Sequence, residues 1–236
     1  MRAAASLFAA CLLLTAPAGV HADDDPASAE QARILRWESA IQKFEQADRD
    51  EPPAAGGVLF VGSSSIRLWD LEKSFPGLDA INRGFGGSHT ADAVHYFDRI
   101  VAPHKPRVIA MYAGDNDIAG NKPPCQVLDD FRQFVSKVEE TLPGTKVVYI
   151  AIKPSLKRWN LVHKMRAANA LIEAECVEKD HLEYVDIDAP MLGEDGMPRE
   201  ELFANDGLHL SPAGYELWTE LVRPHLSVET VSTGAN

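Results

Sequence analysis

The chain holds three cysteines in 236 residues, with no Cys-x-x-Cys, no His-x-x-x-His and no acidic calcium loop. Those absences argue against a bound metal, since zinc and calcium sites draw ligands from such spacings. Basic residues are also scarce: 23 Lys and Arg face 35 Asp and Glu, for a formal net charge of −12. Nucleic acid and anionic lipid surfaces both require a basic face, so neither is an expected partner. Neutral or cationic small molecules remain compatible with that balance. Glycine-rich phosphate loops are missing in their full form. There is no Gly-x-x-x-x-Gly-Lys-[Ser/Thr], and the stretch 84–89 fails Gly-x-Gly-x-x-Gly at its last position. No repeat, low-complexity tract or second hydrophobic block interrupts the chain, so one domain is expected.

The longest apolar run, residues 3–18, is too short for a bilayer span. Arg2 precedes it, and Val20-His21-Ala22 follows as a small-residue cleavage site before three aspartates. This pattern predicts a signal peptide over 1–22 and export from a bacterial cytoplasm, periplasmic or secreted, with no stable membrane insertion after cleavage. Cys11 falls within the leader. Cys125 and Cys176 then remain in a compartment that permits disulfides. A bridge between them would contribute about 4 kcal/mol by loop closure; two separate buried thiols fit equally well.

Residues 23–57 read as an N-terminal helical extension and linker. Ile34, Trp37, Ile41 and Phe44 recur at helical spacing over 29–47, ahead of the breaker cluster at 52–57. Trp37 is expected in the core. From residue 58 strands and helices alternate. Strands are expected at 58–62, 79–85, 107–113, 146–152 and 182–187. Helices are expected at 90–100, 124–142, 161–177 and 212–221, and residues 227–236 as a flexible tail. Such alternation specifies an α/β fold, a parallel sheet covered by helices on both faces, over 58–226. The apolar run Val58-Leu59-Phe60-Val61 lacks polar alternation, as a strand buried on both faces should.

Polar residues gather after the first three strands, at the carboxyl edge where open α/β sheets bind ligands. Gly62-Ser63-Ser64-Ser65 follows the first. A serine on a strand-to-helix turn exposes its hydroxyl beside backbone N–H groups, which suits an acyl-transfer nucleophile, although a helix cap uses serine as well. Asn82 to Thr90 follows the second strand and Gly114-Asp115-Asn116-Asp117 the third. Near the end, Asp206-Gly207-Leu208-His209 places a carboxylate and an imidazole three residues apart before a helix. A general base needs that pairing, because the carboxylate fixes the tautomer and stabilises the imidazolium.

These four blocks, in this order, resemble the SGNH or GDSL-like hydrolase family, and within it the platelet-activating-factor acetylhydrolase branch. The resemblance spans roughly residues 58–221. It implies a flavodoxin-like three-layer α/β/α sandwich with about five parallel strands. It places the nucleophile at Ser64, the base at His209 and its orienting acid at Asp206. The oxyanion hole would comprise the backbone N–H groups of Ser64 and Gly87 and the side-chain amide of Asn116. Ser63 and Ser88 stand where the family commonly has aspartate. The implied activity is hydrolysis of a small-molecule ester, with a short acyl group such as acetyl, and no cofactor. A carbohydrate O-deacetylase and a lysophospholipase are the enzymatic alternatives; a non-catalytic ligand-binding module is the other class. Trp69, Arg158, Trp159 and Met191 lie near loops that could wall the pocket, His89 and His163 read as surface histidines, and Asp115 and Asp117 read as holding the Asn116 loop.

Overall fold

The structure, a computed structural model, describes residues 31, 32 and 34–227. The expected leader at 1–22 and the tail beyond Ser227 lie outside the described residues.

Five strands form one parallel sheet in the order β2-β1-β3-β4-β5. They are β1 (Val58–Gly62), β2 (Ala80–Gly84), β3 (Val108–Tyr112), β4 (Lys146–Ile150) and β5 (Leu182–Val185). Every residue of β1 and β3 is buried, as the unbroken apolar runs require. The side chains still alternate between two cores. Leu59, Val61, Ile109 and Met111 belong to one; Val58, Phe60, Val108 and Ala110 belong to the other.

The helices, in chain order, are α1 (Glu38–Asp50), α2 (Ser64–Arg67), α3 (Leu71–Ser74), α4 (Thr90–His95), α5 (Phe97–Ile100), α6 (Asp115–Ala119), α7 (Pro124–Thr141), α8 (Val162–Val177) and α9 (Pro212–Val222). Residues of α1, α4, α5, α7 and α8 cover the first face, and those of α2, α3 and α9 the second. In α7, Val127, Leu128, Phe131, Phe134, Val135 and Val138 are all buried. Their spacing of three and four makes one stripe.

Most expected boundaries fall within a few residues of the observed ones, and the differences have local causes. The single helix expected over 90–100 is two, parted at Tyr96, whose ring is buried and whose hydroxyl donates to the Ile34 carbonyl at 3.1 Å. The extension helix runs on to Asp50 and stops at Pro52-Pro53, while a turn at residues 36 and 37 separates α1 from the helical residues before it. Ile41 of α1 is fully buried, and Ile34, Trp37 and Phe44 pack against the same core. Cys125 and Cys176 are not bridged. Cys176 is buried, but Cys125 is exposed, contrary to the expectation of two buried thiols. Among the described residues no helix is long and apolar enough to cross a membrane.

Candidate active site

β1 leads straight into the site. Gly62 adopts φ +145°, and a Cβ there would sit 1.9 Å from the Tyr112 carbonyl oxygen, so only glycine fits between β1 and β3 at this point. Gly84, at the end of β2, is equally tight: its Cβ would meet the Arg67 backbone nitrogen at 2.1 Å. The two glycines let α2 settle against the sheet edge with Ser64 as its first residue. Asn82 fastens the far end. Its amide nitrogen donates to the Ile66 carbonyl at 2.7 Å and the Trp69 carbonyl at 3.2 Å, while its oxygen accepts from Gly84 N–H at 2.9 Å.

The three serines are not equivalent. Ser63 and Ser65 are 3% and 1% exposed, whereas Ser64 is only half-buried. Ser63 is the residue that precedes α2, yet its side chain makes no capping bond. The turn is held through its backbone instead. Ser63 N–H donates to Tyr112 at 3.1 Å, and its carbonyl accepts from Ile66 and Arg67 at 3.1 and 3.0 Å. The hydroxyl of Ser64 meets an imidazole: His209 Nε2 lies 3.1 Å away.

The opposite ring nitrogen, Nδ1, lies 2.5 Å from Asp206 Oδ2. The other carboxylate oxygen accepts from the N–H groups of Leu208 and His209, both at 2.9 Å. Those two backbone donors, and then the imidazole, hold the Asp206 carboxyl well below the usual carboxylate range. The three-residue spacing works because the chain turns on itself here. Ala204 N–H donates to the His209 carbonyl at 2.8 Å, and Ser211 caps α9 by accepting from Gly214 N–H at 3.2 Å.

Ser64, Gly87 and Asn116 line one groove together with His209. Among the described residues, neither the Ser64 nor the Gly87 N–H is engaged in a backbone hydrogen bond. The Asn116 amide is oriented from both ends. Its oxygen accepts from the Arg158 guanidinium at 3.2 Å, and its nitrogen donates to the Ser88 carbonyl at 3.0 Å. One amide hydrogen is therefore left for the groove.

Beneath Asn116 lies a charged assembly in which Lys153 is the member that sequence reasoning missed. Lys153 is 1% exposed, and its ammonium contacts Asp115 Oδ2 and the Tyr112 hydroxyl, each at 3.0 Å. Arg158 completes the assembly with a 2.6 Å bond to Asp115 Oδ1. Burial works to raise the Asp115 carboxyl, but Lys153 and Arg158 outweigh it and hold the group below its ordinary value. Nothing local marks a lysine three residues past β4 as buried; only its distant partners do. Asp117 accepts from Thr90 N–H at 3.1 Å and pairs with Lys122 at 3.2 Å, which ties the Gly87-Ser88-His89 loop to α6.

Of the four residues expected to wall the pocket, Arg158 alone does so. Trp69 is 2% exposed and sits among Phe60, Phe75, Tyr215 and Trp218, its indole N–H donating to Ser74 Oγ at 3.0 Å. Met191 is fully buried, and its sulfur accepts from the Trp218 indole at 3.3 Å. Trp159 is half-buried beneath the Arg166 guanidinium and does not line the groove. His163 is at the surface, but His89 is half-buried, with Nδ1 3.9 Å from Asp117. Trp37 goes the other way: it packs edge-on against Phe85 and also lines the groove.

The profile of the GDSL-like lipase/acylhydrolase family matches residues 66–217, which hold Gly87, Asn116, Asp206 and His209 and begin just past Ser64. No curated protein matches. Solved structures that share the fold include the following three. A Streptococcus pneumonia protein, provisionally described as a platelet activating factor, is 22% identical with a TM-score of 0.74, over 86% of this chain and 100% of that one. A GDSL-like lipase from Bacteroides thetaiotaomicron is 19% identical with a TM-score of 0.69, over 79% and 96%. An acetylxylan esterase from Geobacillus stearothermophilus, solved as a catalytic mutant, is 15% identical with a TM-score of 0.60, over 75% and 96%.

Proposed function

Because the chain belongs to the GDSL-like lipase/acylhydrolase family and is a carboxylic ester hydrolase, we propose that Ser64, His209 and Asp206 form its catalytic triad and that it cleaves small esters with short acyl groups such as acetyl. The observation that carries this reading is the continuous relay from Ser64 Oγ through both imidazole nitrogens to Asp206, at 3.1 and 2.5 Å. His209 takes the Ser64 proton as the hydroxyl attacks the ester carbonyl, then returns it to the departing alcohol. Asp206 keeps Nδ1 protonated and stabilises the imidazolium. The tetrahedral oxyanion is received by the Ser64 and Gly87 N–H groups and the Asn116 amide, whose orientation Arg158 maintains. Water then cleaves the acyl-enzyme by the same proton path. These steps need no metal or cofactor.

A panel of p-nitrophenyl esters and acetylated sugars, run on wild type and Ser64→Ala, tests the reading. The expected outcome is a loss of roughly 10⁴–10⁶-fold in turnover for the variant. Equal hydrolysis by both proteins would remove the serine mechanism. Faster turnover of acetylated sugars than of simple esters would select the carbohydrate O-deacetylase reading, which the open groove and the fold shared with an acetylxylan esterase support. Export belongs to the same proposal. Amino-terminal sequencing of the protein from a bacterial host should begin at Asp23; an intact Met1 would contradict cleavage.

A further inference from the structure

The groove beside Ser64 has a volume of about 770 Å³, and among the described residues its charged lining is of one sign. Arg36, Lys43, Arg67 and Arg158 contribute to it, and among the described residues no Asp or Glu does. This is the reverse of the whole chain, whose formal net charge is −12.

The extension sorts its charges to produce this. In α1, Glu38 and Glu45 both clamp Arg99, at 2.8 and 2.7 Å, and Asp48 pairs with Arg83, so the acids are engaged away from the groove. Arg36, Ala40, Lys43 and Phe44 recur at helical spacing and line the groove instead. Arg158 is committed to Asp115 and Asn116. Among the described residues the other three meet no carboxylate. Lys43 and Arg67 form no ion pair among the described residues, and Arg36 donates to the neutral Gly87 carbonyl at 3.2 Å. Arg67 reaches over the oxyanion loop, since a Cβ on Gly86 would lie 2.9 Å from its Nε.

Across His209 the sign changes. A second groove, of about 810 Å³, carries Asp70, Asp206, Glu216 and Glu220 against Lys73 alone among the described residues. An ester with an anionic group therefore has one favoured orientation, with its anion on the α1 side. Clustered cations without counter-ions repel one another, and a bound anion relieves that repulsion.

We propose that the ester cleaved at Ser64 carries a carboxylate or phosphate, seated among Arg36, Lys43 and Arg67. The inference rests on the esterase reading of this site and revises the expectation, drawn from overall charge, of a neutral or cationic substrate. The anion belongs to the acyl or to the alcohol portion, and two matched pairs of probes separate these sources. Para-acetoxybenzoate and its methyl ester differ in charge on the alcohol side; p-nitrophenyl adipate monoester and p-nitrophenyl hexanoate differ on the acyl side. For each pair, the ratio of kcat/KM for the anionic over the neutral ester is measured in wild type, in Lys43→Gln/Arg67→Gln, and in Lys164→Gln/Lys179→Gln, which removes the same charge elsewhere.

In at least one pair the ratio should fall about tenfold in the groove variant, remain in the surface variant, and decline as salt is raised. Taking ratios within one protein removes any general loss from misfolding. A ratio in both pairs that is the same in wild type and the groove variant, with neutral-ester turnover that still requires Ser64, would overturn this proposal and leave the esterase reading standing. If wild type cleaves none of the four and a fluorophosphonate fails to label Ser64, both fall together.

Discussion

Three serines stand side by side after β1, and burial separates them. Ser63 and Ser65 are closed off, while Ser64 Oγ is the one that reaches His209. The sequence blocks pointed to Ser64, Gly87, Asn116, Asp206 and His209, and all of them lie around His209. They were legible because each depends on its immediate neighbours: a turn glycine, a serine opening a helix, an acid three residues before a histidine. The pocket walls were not legible. Trp69 and Met191 lie near the right loops in the chain, but their side chains turn into the aromatic core, and chain position alone does not give a direction. Asn116→Ala removes one donor and should lower kcat by about 10²–10³ with the fold retained, as steady-state kinetics and circular dichroism would register. The cysteines yield a simpler expectation. Burial pushes the Cys176 thiol up to about 12, whereas Cys125 is exposed. Native protein lacking residues 1–22 should thus react with a thiol reagent at Cys125 alone, and at both after denaturation. Two reactive thiols in the native state would contradict the burial.

At the scale of elements, Ser64 is positioned less by α2 itself than by what α2 rests on. A four-residue helix has no stability of its own. Asn82 grips its carboxyl end, and Gly84 lets its backbone approach β2. Gly84→Ala would place a methyl 2.1 Å from the Arg67 nitrogen and drive α2 from the sheet. The expected result is a loss of at least about tenfold in kcat/KM together with a lower unfolding temperature. Unchanged activity would mean that Ser64 tolerates movement of its helix. The regular elements were readable because α7 and β1 follow their periods cleanly. The break at Tyr96 was not, since it depends on a buried tyrosine whose hydroxyl partner, Ile34, is 62 residues away. Lys153 escaped notice for the same reason: its counter-ion, Asp115, comes from α6 and its hydroxyl partner, Tyr112, from β3.

For the whole molecule, the strand order decides where chemistry can occur. β1 sits between β2 and β3, so the chain leaves it in both directions and a crevice opens at its carboxyl end. Ser64, the Gly87 loop and Asn116 follow β1, β2 and β3 respectively, and the residues after β5 bring His209 across to meet them. The alternating pattern foretold such an edge. It did not foretell that Arg36, before α1, and Lys43, within it, would line one side of it with cations, because net charge averages over a surface that the fold divides. The most direct test of the account is the site of covalent labelling by a fluorophosphonate, read by peptide mass spectrometry. A single adduct is expected, on Ser64, absent in Ser64→Ala and formed far more slowly in His209→Gln. An adduct on another residue, or none while ester hydrolysis persists in Ser64→Ala, would contradict it.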